Sequence, residues 1–203
     1  MHAVKRFAKA MMIGGIVLLT STVAAAAVTF NGNFSLSGSS FSEPGLRVQT
    51  SAQTGAFNFN LTSGQSVTFD LFNIWTDENR VNGNNTRTSN LVADFMLTSF
   101  GASGSVNGTT TGTSVLGLMQ YGSVDWTAPL TLNLNNGGRL TIALSDETFN
   151  LGLLRLSSGI NWAATVQATA TYVAPGAVPL PASGMLLAGA LAGVAAFRRR
   201  RRA

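Results

Sequence analysis

Five carboxylates in the middle of the chain are the residues best suited to acid–base chemistry: Asp70, Asp94, Asp125 and the adjacent Asp146 and Glu147. A glycosidase sets two such groups across a cleft, about 5–10 Å apart, one as acid and one as nucleophile or base. Nothing in the spacing brings any two of them together, so turn positions or solvated strand faces are expected. Asp77, Glu78, Asn79, Asn82 and Asn84 make an oxygen-rich loop after Trp75. Calcium takes oxygen ligands, but the EF-hand order fails, because Val81 and Asn82 stand where an acid and the glycine belong. A polar turn is expected there, and no metal is assigned. Trp75, Trp126 and Trp162 have the rings to stack on sugars. Each lies in a strand-like run, where the expectation is core packing with the indole N–H bonded to backbone.

Other chemistries lack their residues. There is no cysteine, which removes disulfides, thiolate metal sites and thiol nucleophiles. The one histidine is His2, beside the start methionine, so the body has no imidazole for a triad or a metal. No catalytic residue and no cofactor is assigned. Asn-X-Ser/Thr triplets begin at Asn33, Asn60, Asn84 and Asn107 and read as accidents of a chain rich in Asn and Thr.

The net charge of +5 invites a nucleic-acid reading until it is mapped. Lys5, Arg6 and Lys9 sit at one end, and Arg198, Arg199, Arg200, Arg201 and Arg202 at the other. Between them Arg47, Arg80, Arg87, Arg139 and Arg155 face all eight acids, a body of net −3. Such a body has no electrostatic footprint for phosphate backbones, and no nucleic-acid partner is expected.

From Val28 to Tyr172 the pattern alternates with period two, as half-buried strands do. Leu130, Leu132 and Leu134 share one face, and Leu140, Ile142 and Leu144 repeat it after the hairpin signal Asn136-Gly137-Gly138. Phe57, Phe59 and Leu61 alternate against Asn58, Asn60 and Thr62, and Val67, Phe69 and Leu71 share a face in the next run. LVADFMLTSF and WAATVQATATYV are further strand candidates, whereas Thr148–Gly159 fits a strand or one helical turn. Gly-, Ser- and Asn-rich separators and the lack of a helical period predict an all-β fold, an antiparallel jelly-roll-like β-sandwich over residues 28–172.

Residues 1–27 have the three parts of a secretory signal peptide. A basic start precedes the apolar Ala10–Leu19 run and the small residues Ala24–Ala27. The apolar run is too short for about 30 Å of hydrocarbon, so cleavage after Ala25, Ala26 or Ala27 is expected.

The other end is equally ordered in sequence. Residues 173–184 hold Pro175, Pro179 and Pro181 and read as an exposed linker. Residues 185–203 begin with thirteen apolar residues, Met185–Phe197, and finish with the arginine run. Counted from Val178, the apolar stretch reaches the roughly 20 residues a transmembrane helix needs. Five arginines stop transfer and stay cytoplasmic, which leaves the body outside. Val178-Pro179-Leu180-Pro181-Ala182, with Ser183 after it, the apolar run and the terminal arginines resemble PEP-CTERM sorting signals in their VPLPA variant. The resemblance covers the tail and leader, not the body. It implies export across the inner membrane of a Gram-negative bacterium, leader removal by signal peptidase, and tail removal by an exosortase, a membrane-embedded cysteine transpeptidase. Leu180 replaces the family's usual glutamate between the prolines. Leu180-Pro181-Ala182-Ser183-Gly184 also resembles an LPxTG sortase signal with serine for threonine, and a permanent tail anchor obeys the same orientation rule.

The expected function is a non-enzymatic cell-surface or extracellular-matrix structural protein, associated with biofilm or exopolysaccharide. The alternatives are a polysaccharide-binding module or a carboxylate-dependent hydrolase.

Overall fold

The computed structural model describes residues 26–176. Its eleven strands are β1 (Val28–Ser37), β2 (Gln49–Thr50), β3 (Thr54–Leu61), β4 (Ser66–Trp75), β5 (Ser89–Leu97), β6 (Ala102–Val115), β7 (Met119–Trp126), β8 (Leu130–Asn133), β9 (Arg139–Leu144), β10 (Glu147–Leu153) and β11 (Ala164–Val173). Strands take 58% and helical turns 4%, so the class is all-β. Two curled sheets form, with orders β10-β7-β6-β5-β1-β3 (sheet A) and β2-β4-β11-β9-β8 (sheet B). Every pairing is antiparallel. Among the described residues no helix is long and apolar enough to cross a membrane. The leader up to Ala25, the motif Val178–Ser183 and the arginines 198–202 lie outside the described residues.

The alternating residues predict the core well. Leu132, Leu134, Leu140 and Ile142 are all buried, and β8 and β9 pair as the hairpin expected from Asn136-Gly137-Gly138. β5 turns Leu91, Ala93, Phe95 and Leu97 inward, and β11 does so with Val166, Ala168, Ala170 and Tyr172. Aromatic rings join the two sheets across this core. Phe30 meets Tyr172 edge-on at 5.2 Å, and Phe69 lies 5.7 Å from Phe57 and 5.5 Å from Phe59. Such offset and edge contacts add roughly 0.5–1.5 kcal/mol each beyond the buried area.

Two bulges break the simple alternation. In β4, Phe72 faces Val166 and Asp70 faces Gln167, which leaves Leu71 as an extra residue. Leu71 and Phe72 are both buried, and Ile74 follows, so the inward face changes parity after the Val67-Phe69-Leu71 set. In β10 the register shifts between Phe149 and Gly152 around Asn150, at φ 54°. The ambiguous Thr148–Gly159 segment is thus a bulged strand as far as Leu153, then a loop.

The registers give the body two distinct ends. Val28 faces Leu61, Gly64 N–H donates to Tyr172 O at 2.8 Å, and Ala174 N–H donates to Ser63 Oγ at 3.0 Å. The start of β1 and the end of β11 therefore meet at the Thr62–Gln65 turn. The ten residues of β11 separate that turn from the opposite end by about 30 Å.

Candidate functional site

Four segments gather at the end remote from the start of β1 and the end of β11: Gly38–Val48, Thr76–Thr88, the β6–β7 hairpin tip, and Leu154–Ala163. Buried polar side chains stitch them together. Asn150 Oδ1 accepts Thr76 N–H at 2.8 Å, while its Nδ2 donates to Ser157 O and to Gly159 O. Gln120 accepts Val81 N–H at 2.7 Å and donates to Leu154 O at 3.2 Å. Asn85 donates to Gly45 O and to Glu78 Oε2, and Thr76 Oγ1 donates to Arg47 O at 2.7 Å. Thr110 donates to Ser40 Oγ, which donates in turn to Asn90 O. A satisfied buried network of this kind fixes loop geometry, because breaking one member strands the others in a low dielectric.

On this fixed platform the chain displays apolar side chains to solvent. Leu116 is 89% exposed, Leu153 75%, Leu154 63% and Trp162 58%; Leu118 and Ile160 are also exposed. The hairpin tip turns through Leu116 and Gly117, whose φ values are 52° and 69°. Leu154 also has positive φ, at 62°, and its N–H donates to Leu118 O at 2.5 Å, joining the tip to the end of β10. Glycine or asparagine normally takes such positions; a bulky residue there is an outlier. The sequence holds one sign of this. The turn reads Leu116-Gly117 where Asn-Gly is the favoured pair.

The tryptophan expectation needs correction. Trp162 lies in the 3-10 turn Ile160–Trp162 and is exposed, because the chain leaves the strand pattern before β11 begins. Trp75 and Trp126 are half-buried, and Trp126 Nε1 has no hydrogen-bond partner among the described residues, where a backbone bond is expected.

The acids lie on different elements. Asp70 on β4 accepts from Gln167 Nε2 at 2.9 Å, and Asp94 on β5 accepts from Ser105 Oγ at 2.5 Å. Asp125 on β7 is near Ser123 Oγ at 3.4 Å, Asp146 accepts Trp126 N–H at 2.6 Å, and Glu147 accepts Ser145 Oγ at 2.6 Å. In the oxygen-rich loop, Glu78 Oε1 accepts Arg47 N–H at 2.9 Å and Asn82 Oδ1 accepts Asn84 N–H at 2.8 Å. Asn82 thus closes its own turn, and Glu78 ties the loop to the Arg47 segment. Among the described residues no group of three or more metal-ligating side chains converges.

An open groove of about 720 Å³ crosses the outer face of sheet A. Asn33, Asp94, Met96, Ser103 and Ser105 line it. Sheet B presents a polar ladder on its outer face: Ser66 with Thr171, Thr68 with Thr169, and Asn73 with Thr165. No protein-family model, curated protein or solved structure matches this chain.

Proposed function

We propose that this is an exported, exosortase-processed structural protein of the cell surface or extracellular matrix. Its body is a jelly-roll-like β-sandwich of non-catalytic role. The reading rests on the resemblance carried by Val178–Ser183, the apolar run and Arg198–Arg202. One structural observation supports it above the others: the first strand starts and the last strand ends beside the Thr62–Gln65 turn. Both processing points would then fall beyond one end of the body, with the loop platform at the other. Strands β1 to β5 pass alternately between the two sheets, which supports the sandwich description, while β5–β7 and β8–β9 run as hairpins within one sheet.

Intact mass of the extracellular protein, made in a host carrying the matching exosortase, tests this. The expected product begins near Val28 and lacks residues 185–203. Replacing Pro179 and Pro181 with alanine should leave a longer, membrane-retained precursor, and serines at 198–202 should release unprocessed chain. A wild-type mass that still includes residues 185–203 overturns the sorting assignment.

A second reading, a polysaccharide-binding module, draws support from the groove of sheet A, where Asn33, Asp94, Ser103 and Ser105 sit beside Phe34 and Met96, and from the exposed Trp162. Slower migration through a gel cast with the host's exopolysaccharide, lost in Asp94→Ala or in Trp162→Ala, would favour it.

A further inference from the structure

We propose that the loop end docks on an anionic phospholipid surface. Leu116, Leu118, Leu153, Leu154, Ile160 and Trp162 enter the acyl boundary while nearby arginines meet the phosphates. Shape is the first ground. The exposures of Leu116 and Leu153 are those of side chains standing clear of the body, which suits a soft, deformable partner. Composition is the second. Leucine and isoleucine with one tryptophan form an interfacial insertion set, since the indole ring favours the headgroup level. Trp162 stands among exposed leucines and Ile160, the amphipathic setting of an interfacial anchor.

Charge is the third ground and selects the lipid. Arg47, Arg80, Arg87 and Arg155, four of the body's five arginines, lie in the loop-end segments and are exposed. Arg80 and Arg155 come close to the apolar residues, because Leu156 N–H donates to Asn79 O at 3.0 Å. The acids of this end are Glu43, Asp77 and Glu78, giving it a net +1, and Glu78 is engaged with Arg47 N–H and Asn85. Everything else in the body sums to −4, with Arg139 against Asp70, Asp94, Asp125, Asp146 and Glu147. An anionic bilayer therefore attracts this end and repels the remainder. A second copy fits less well. Head-to-head contact sets arginines against arginines, and head-to-tail contact sets leucines against an acidic, polar surface.

Strain is the fourth ground. Leu116 and Leu154 hold left-handed backbone while exposed, where asparagine would adopt the same φ more easily. Exposed leucines contribute no burial to the fold, so their use at strained positions points to a role outside it. The proposal concerns the body and stands whether or not the tail is processed.

The full chain, mixed with phosphatidylglycerol vesicles carrying brominated acyl chains, supplies the test through tryptophan fluorescence. The described residues end beside the Thr62–Gln65 turn, remote from Trp162, and Trp162→Phe isolates the signal of that ring. Expected is strong quenching on phosphatidylglycerol, absent in Trp162→Phe and absent on phosphatidylcholine vesicles. Leu116→Asn with Leu154→Asn should abolish quenching while circular dichroism stays unchanged. Arg80→Gln and Arg155→Gln should each weaken binding about fivefold. Quenching that is equal on both lipids, missing on phosphatidylglycerol, or indifferent to the double asparagine variant overturns the proposal. A lipid-free dimer, seen by mass at rising concentration and lost in the same double variant, assigns the surface to a second copy instead.

Discussion

Trp126 covers Gly108, the residue directly opposite it across the β6–β7 ladder, so closely that a methyl group on Gly108 would stand 2.5 Å from the indole Cε3. The same relation recurs on the inner face of sheet A. Gly32 faces Phe57, Gly55 faces Phe34, and Gly122 faces Phe149, with the ring over the glycine each time. Each glycine makes room for a ring that a side chain would displace, and the ring covers the exposed backbone.

Gly108→Ala should therefore destabilise the body by about 1–3 kcal/mol through overpacking against the indole. Gly83 is the control, because a methyl group there meets nothing within 4 Å. Gly83→Ala should be neutral or stabilising by about 0.4–1 kcal/mol, through loss of unfolded-state freedom. Urea midpoints of the two variants decide the matter. Equal midpoints would mean that the ring moves aside at no cost.

The hairpin β8–β9 gives a test of facing. Ile142 is 1% exposed between the sheets, whereas Thr141 points outward, 3.4 Å from Thr131 Oγ1 across the hairpin. Ile142→Asp should cost about 3–5 kcal/mol by burying an unpaired charge, and Thr141→Asp should change stability by less than about 1 kcal/mol. Thermal unfolding reports both, and similar losses would refute the assigned faces.

Much of the fold was legible because period-two alternation reports burial directly. Leu132, Leu134, Leu140, Ile142 and Leu61 all lie where their spacing put them. What alternation misses is any residue that changes the count. The extra Leu71 in β4 turns Phe72 and Ile74 inward, and no local composition marks it as a bulge. The loop end was legible only in fragments. Asn150 and Gln120 look like ordinary polar residues, because the carbonyls and N–H groups they satisfy come from positions 7–74 residues away. Trp162 was misplaced for a related reason: aromatic and β-branched neighbours mark a strand until a glycine such as Gly159, at φ 92°, ends the run.

Asn150 carries both a left-handed φ and three hydrogen bonds, and two variants separate these contributions. Asn150→Gly keeps the backbone conformation and loses the side-chain bonds, leaving Thr76 N–H and two carbonyls without their partner. It should cost about 1–3 kcal/mol. Asn150→Ala adds the left-handed penalty and should lose about 1 kcal/mol more. Amide exchange at Thr76 should rise in both variants. Unchanged protection there would show that the network does not fix the loops.

The two strained leucines make an unusual stability prediction, because the expected sign is favourable. Leu116 and Leu154 are exposed, so exchanging either for asparagine removes little buried apolar surface. Both sit at positive φ, where a leucine side chain crowds its own backbone and asparagine is better tolerated. Leu116→Asn and Leu154→Asn should each raise stability, by up to about 1 kcal/mol, visible as an increase in Tm. Leu116→Val runs the other way, since a β-branched residue is the worst fit to left-handed backbone, and should lower Tm. Together the three variants separate backbone strain from side-chain burial. A fall in Tm for both asparagine variants would mean that the leucines pack on the folded body, and the strain argument would fail. A rise would mean that these positions hold leucine at the expense of the fold, the pattern expected where a surface is kept for contact with something else.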